Sequence, residues 1–313
     1  MDSRISIRTQ IATVPSWAVP RSFVAAEADA AFMAGSALNT LDGLVRSERV
    51  WAGVWRQRLA LTCAVSAMRS FGRVEDEAAL RDAWVLRKPG DEPGPAGNIL
   101  AAWKRAASRA PIIDAECIAS FAELLGFHVD EALAELPAVA DEITAEGRSV
   151  PFATSALLSK LHETRPDAAP LGWLLADIML ARLMRWRHVV PLFMAQAHGT
   201  AFRIDGGRGK LRPGDEGFDK AVCLALAHGA AEACRMAAEI ARRADRLAEV
   251  TPKLRAKGAS EAIRLLLNDD AVSGSLTTPK LSRFATRRLF ERLTEFDAVR
   301  ELSGRTSFRI YGL

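Results

Sequence analysis

The sequence predicts an all-α protein: a multi-helix bundle ending in a winged helix-turn-helix-like module that carries a small β-hairpin. Three observations lead there. The 313 residues hold a single Tyr and few β-branched runs, but Ala, Leu, Arg and Glu, all good helix formers, are abundant. Apolar residues recur at helical spacing in segment after segment. Only near the end does a helix give way to two short extended segments around a Gly turn, at Ser303-Gly304-Arg305. The expected division is an arm over 1–20, a helical domain over 21–250 with a basic Gly-rich loop near 203–217, and a winged-helix-like domain over 251–313.

Each element has its own signal. Helices are expected from Val24 to Val45, where Ala28, Ala31, Gly35 and Ser36 suit close helix packing, and from Trp51 to Phe71, with Trp55, Leu59, Thr62 and Ser66 in register. A third runs from Glu75 to Leu86 and is stopped by Pro89, Pro93 and Pro95. A short helix, Ile99 to Ala107, ends before Pro111. Asp114–Leu125 and Asp130–Thr144 follow, joined by Gly126-Phe-His-Val129, then Pro151–Leu161 and Leu171–Trp186. Val189 to Phe202 is compatible with extended or helical structure, and Gly206 to Gly214 with neither. A long Ala-rich helix spans Asp219 to Ala248, its exposed face bearing Arg235, Arg242, Arg243 and Arg246. After Pro252, Ser260–Leu267 reads as the first helix of the terminal module. The second helix of a complete winged module is missing, because Ala271-Val-Ser-Gly-Ser-Leu276 allows one turn at most.

The end of the chain carries the functional expectation. Leu281, Ala285, Leu289 and Leu293 form an apolar stripe widened by Phe290 and Phe296, and Ser282 is placed to cap the helix. Arg283 and Arg287 lie off that stripe, with Arg288 and Arg292 at its margins. Val299–Leu302 and Thr306–Tyr311 make the hairpin, with Arg305 and Arg309 as its cations. A basic helix followed by a hairpin suits DNA, the helix in the major groove and the hairpin on flanking backbone. The expected partner is therefore DNA, in transcriptional regulation or mobile-element maintenance. Helix contacts fall to Arg283, Arg287, Arg288 and Arg292, and wing contacts to Arg305 and Arg309. The alternative is a non-enzymatic assembly protein whose hairpin mediates oligomerisation through a free edge. A homodimer remains open.

Composition narrows the class without choosing within it. Apolar residues make up 49% and charged residues 26%, and the net charge of +4 permits nucleic-acid binding without demanding it. Cys63, Cys117, Cys223 and Cys234 are scattered in apolar helical contexts, as reduced thiols of a cytoplasmic protein would be. The apolar run Leu171–Leu180 contains Asp177 and is too short to span a bilayer, so no membrane association is expected. His188, His198, Cys223, His228 and Cys234 lack the tight spacing of a zinc site. Gly206-Gly-Arg-Gly-Lys210 has Ile204 and Leu211 where a phosphate loop needs Gly and Ser or Thr. With no nucleophile elbow and no paired metal-site histidines, neither enzymatic activity, nor a cofactor, nor a metal is expected.

Several phrases also resemble a known family. Ala26-Glu-Ala-Asp-Ala-Ala-Phe32, Trp51-Ala-Gly-Val-Trp-Arg-Gln-Arg-Leu-Ala-Leu61, Glu75-Asp-Glu-Ala-Ala-Leu-Arg-Asp82, Pro89-Gly-Asp-Glu-Pro-Gly-Pro-Ala-Gly97, Arg242-Arg-Ala-Asp-Arg-Leu247 and Pro252-Lys-Leu-Arg-Ala-Lys-Gly258 look like the bacterial domain of unknown function 1403 family. So does the ending from Ala298 to Leu313. The resemblance spans nearly the whole chain and implies no activity. The closing Arg-Glu-Leu-Ser-Gly-Arg phrase also resembles the wing of helix-turn-helix domains on other helical bacterial proteins. Those place Ser-Asp at the start of the recognition helix, where this chain has Ser282-Arg283, exchanging an acid for a cation that suits phosphate.

Overall fold

A computed structural model describes residues 11–21, 24, 26–88, 90–204, 209–254 and 258–313. Residues 1–10 of the expected arm and 205–208 of the Gly-rich loop lie outside the described residues. The helices are α1 (Glu27–Arg46), α2 (Ala52–Ser70), α3 (Glu77–Val85), α4 (Gly94–Ser108), α5 (Ala115–Leu125), α6 (Glu131–Ala134), α7 (Leu136–Ala145), α8 (Val150–Thr164), α9 (Ala169–Leu183), α10 (Phe193–Gln196), α11 (Phe218–Val250), α12 (Ala259–Asn268) and α13 (Arg283–Glu295). Three short strands, β1 (Val272–Ser273), β2 (Arg300–Glu301) and β3 (Ile310–Gly312), form an antiparallel sheet in the order β1-β3-β2. Among the described residues the chain is thus mostly helical, with one small sheet near its C-terminal end.

Local chemistry sets many of the helix ends. The carboxylates of Asp76, Asp114 and Asp130 accept from the amides of Ala79, Cys117 and Leu133 at 2.9, 2.7 and 3.1 Å, satisfying first-turn N–H groups. Gly126 closes α5 in the left-handed conformation at φ 77°, where a Cβ would be strained. Among the described residues no helix is long and apolar enough to cross a membrane.

The core gathers around α9. Every residue from Pro170 to Ala181 is buried, as expected of a helix apolar all round, and α8, α10 and α2 pack on it. Its one carboxylate, Asp177, accepts from the amides of Leu192 and Phe193 at 2.9 and 3.0 Å, turning the chain into α10. Val189–Phe202 therefore resolves into a loop, the single turn of α10 and a 3-10 turn. Along α1 the buried stripe facing α11 is Ala30, Ala34, Ala37 and Leu41 rather than Ala28, Ala31, Gly35 and Ser36, because an Ala-rich helix offers small residues on several faces.

The terminal elements sit on the helical body through charge as well as packing. Asp270, 5% exposed, follows α12 and pairs with Arg58 of α2 and Arg81 of α3. Lys104 of α4 meets Asp269 at 2.5 Å, and Arg58 donates to the main-chain oxygen of Leu313 at 3.1 Å. Arg246 is exposed as expected, whereas Arg243 is partly buried, and both reach the end of α13. Arg243 lies 3.6 Å from Asp297, and Arg246 donates to the carbonyl of Phe296 at 2.8 Å.

Candidate nucleic-acid interface

The position of α13 follows from one buried stripe. Leu289, Phe290 and Leu293 face the core with Thr286, whose hydroxyl donates to the carbonyl of Leu276 at 2.6 Å. Phe290 stacks parallel to Tyr311 of β3 with ring centroids 4.5 Å apart, tying helix to sheet. Ser282 caps the helix by accepting from Ala285 N at 3.3 Å. The first turn holds no acidic residue, so its partial positive charge is left unneutralised.

With that stripe inward, the arginines point outward. Arg283, Arg287, Arg288 and Arg292 are all exposed. Arg283 and Arg288 have no ion-pair partner among the described residues, whereas Arg287 pairs with Glu291 at 2.9 Å and Arg292 lies 5.6 Å from the Phe296 ring centroid. Glu291 and Glu295 share the outward face, which concentrates the positive charge in the N-terminal half of the helix. Exposed ion pairs of this kind are worth well under about 1 kcal/mol, so Arg287 exchanges partners readily.

The hairpin arginines differ from one another. Arg305 makes a two-pronged contact with Asp82 of the helical body, at 2.5 and 2.8 Å, which ties the hairpin down. Arg309 donates from Nε to the carbonyl of Arg305 at 3.1 Å, and its interaction with the Tyr311 side chain raises its already high pKa. Arg309 therefore stays charged at the foot of the hairpin.

Arg283, Arg287 and Arg309 line one groove of 490 Å³ between α13 and the hairpin, with Gly274 and Tyr311 in its wall. A Cβ on Gly274 would stand 2.9 Å from the Tyr311 ring and 3.0 Å from the Arg309 carbonyl, so the close approach there requires glycine. Two aromatics that sequence reasoning missed also line it: Phe284, 81% exposed, and Phe308, 67% exposed. Phe284 lies off the apolar stripe, and that was the available signal. Phe308 takes a left-handed φ of 52°, uncommon for a bulky side chain. Neither Arg288 nor Arg292 nor Arg305 reaches this groove.

A model of the family described as protein of unknown function, DUF1403, matches residues 2–313. The chain belongs to this family. No curated protein matches it, and no solved structure does. DUF1403 membership names no chemistry, and the described residues hold no group of three His, Cys, Asp or Glu side chains placed to bind a metal ion. The thiols of this DUF1403 chain are buried, with burial pushing Cys117 up to about 11 and Cys223 and Cys234 up to about 12.

Proposed function

We propose that this DUF1403 protein binds double-stranded DNA through a winged-helix-like C-terminal unit, α13 entering the major groove and the β2–β3 hairpin lying on flanking backbone. The observation that carries the reading is the convergence of Arg283, Arg287 and Arg309 on one outward groove between helix and hairpin. Order and pairing support it: helix α12, strand β1, helix α13 and a hairpin whose last strand lies between the other two, as in a winged unit without its middle helix. Recognition helices contact bases through their N-terminal residues, which is where α13 carries Arg283, Arg287 and Arg288 and lacks carboxylates in its first turn. Arg292 lies a turn further along and suits backbone contact. Arg305 reaches phosphate only by exchanging Asp82 for it, so its contribution is the smallest of the six.

The test is a mobility-shift or anisotropy titration of the full chain on native-locus and random duplexes at two salt concentrations. About four phosphate contacts give roughly a hundredfold loss of affinity between 50 and 200 mM salt. Arg283→Glu with Arg287→Glu weakens binding by at least about tenfold and flattens that slope. No complex at low salt, or a complex indifferent to both charge reversals, rules the reading out.

A further inference from the structure

A second concave site lies away from α13, where the ends of α1, α9 and α12 meet the start of α2. It is a cavity of 420 Å³, within the range of small-molecule sites, and its wall carries five arginines: Arg46, Arg49, Arg56, Arg185 and Arg187. One carboxylate, Glu48, faces them, 3.9 Å from Arg187. Arg46 is engaged by Asp42 at 2.8 Å and by the Met184 carbonyl at 2.9 Å. The other four meet no carboxylate closer than that 3.9 Å pair among the described residues. Arg56 donates to the Ala107 carbonyl and Arg49 to the Ser47 hydroxyl, both neutral acceptors.

Helix ends help to gather these cations without neutralising them. Asp42 and Glu48 offset two of the five guanidinium charges. Three helix C-termini, at most about half a negative charge each and opposed by the N-terminus of α2, still leave a net positive surplus. The consequences appear in the side chains. Arg56 has its pKa lowered by burial and by the charge of Arg187. His188, in the same wall, is lowered by burial and then by Arg56 and Arg187, and its Nδ1 is buried with no hydrogen-bond partner among the described residues. Arg185 takes a left-handed φ of 53°, which turns it out of the α9 axis at the mouth of the cavity. Val45 and Trp186 add apolar wall beside the charges.

We infer that this cavity binds a small phosphate-bearing anion, held by Arg49, Arg56, Arg185 and Arg187. Planar guanidiniums in a cluster match phosphate oxygens two at a time, and a multiply charged phosphate balances the surplus better than a single carboxylate does. Asn268, the last residue of α12, lines the same cavity, so the ligand would sit at the seam between the helical body and the terminal elements. This inference is independent of the DNA reading.

Calorimetric titration of the full chain with inorganic pyrophosphate at low salt, paired with a melting curve at each concentration, tests it. Saturable one-to-one binding and a higher melting temperature are expected. Arg185→Gln with Arg187→Gln, both exposed, should lose at least about tenfold in pyrophosphate affinity, while Arg283→Glu in the α13 groove leaves it unchanged. Circular dichroism and melting without ligand establish that the variants fold. The inference fails if no heat appears up to about 10 mM, a Kd too weak for such a cluster. It also fails if citrate binds as tightly as pyrophosphate or if Arg283→Glu abolishes the effect. A fourth outcome overturns it too: the double variant losing duplex DNA affinity instead, which would make the arginines part of a DNA path.

Discussion

Arg81 Nε lies 2.6 Å from Asp270 Oδ2, joining α3 of the helical body to the turn between α12 and β1. Arg58 pairs with the other oxygen of the same carboxylate, so one buried acid holds two cations from two helices. Removing one partner of such a cluster leaves uncompensated buried charge, which costs about 3–5 kcal/mol.

The first prediction concerns that cluster. Burial alone pushes the Asp270 carboxyl up, but Arg58 and Arg81 outweigh it and hold the carboxyl below its ordinary range. A folded pKa below the unfolded one contributes stability above the unfolded value, about 3.9, and loses it as pH falls through the folded value. Asp270→Asn should therefore destabilise the protein by roughly 3 kcal/mol at pH 7. The gap should hold down to about pH 5 and close below about pH 4, as followed by urea denaturation. A gap of the same size at the acid end would contradict this account.

Asp177 behaves in the opposite sense. Burial pushes its carboxyl up to about 8, only partly offset by the amides of Phe193 and Leu192, and its Oδ2 has no hydrogen-bond partner among the described residues. The folded state therefore holds a proton that the unfolded chain releases near pH 3.9, so this group costs stability as pH rises from about 4 to 8. Asp177→Asn keeps an acceptor for both amides without the charge, and should be more stable than the wild type above about pH 8. Asp177→Ala orphans both amides and should lose about 2–4 kcal/mol.

At Phe308 strain and exposure coincide. Phe308→Gly relieves the left-handed backbone, worth about 1 kcal/mol, so stability should hold or rise. DNA affinity should fall severalfold, because the aromatic edge of the groove is gone. Unchanged affinity would remove Phe308 from the proposed interface.

Two glycines should respond oppositely to alanine. At Gly53 an added Cβ would stand 2.6 Å from Asn268 Oδ1 and 2.8 Å from Asn268 Cα, so α12 must move. That overpacking costs about 1–3 kcal/mol and outweighs the roughly 1 kcal/mol by which Ala is favoured in a helix. At Gly35 nothing lies within 4 Å, and Gly35→Ala should stabilise by about 0.5–1 kcal/mol. Thermal melts of the two variants check both signs.

Much of the helical order was legible, because caps and breakers are local. Ser282 caps α13 as expected. Asp114 and Asp130, expected as first residues of their helices, are their caps, and Asp76 caps α3 just inside its expected start at Glu75. Each side chain reaches an amide three residues on. The stripe of Leu289 and Leu293 placed α13 correctly, and with it the outward direction of Arg283 and Arg287; Arg288 and Arg292, expected at its margins, are exposed as well. Less local features were hidden. Thr286 sits in the buried stripe because its hydroxyl finds the Leu276 carbonyl, a partner no periodicity reveals. The segment Ala271–Leu276 reads as too short for a helix, but nothing in it marks β1, a two-residue strand defined only by its pairing with Ile310 and Tyr311.

By itself, then, the sequence determined the helical class, the ends of many helices and the face of α13 that carries arginine, since each depends on contacts a few residues apart. Tertiary structure decided which arginines remain available. Arg305 is drawn to Asp82, and Arg243 and Arg246 to the end of α13, by partners distant in the chain. It also brought Arg46, Arg49 and Arg56 to Arg185 and Arg187, from segments that share no local signal. The physical reason is that a guanidinium's role depends on the oxygen it meets, and that meeting is made by packing.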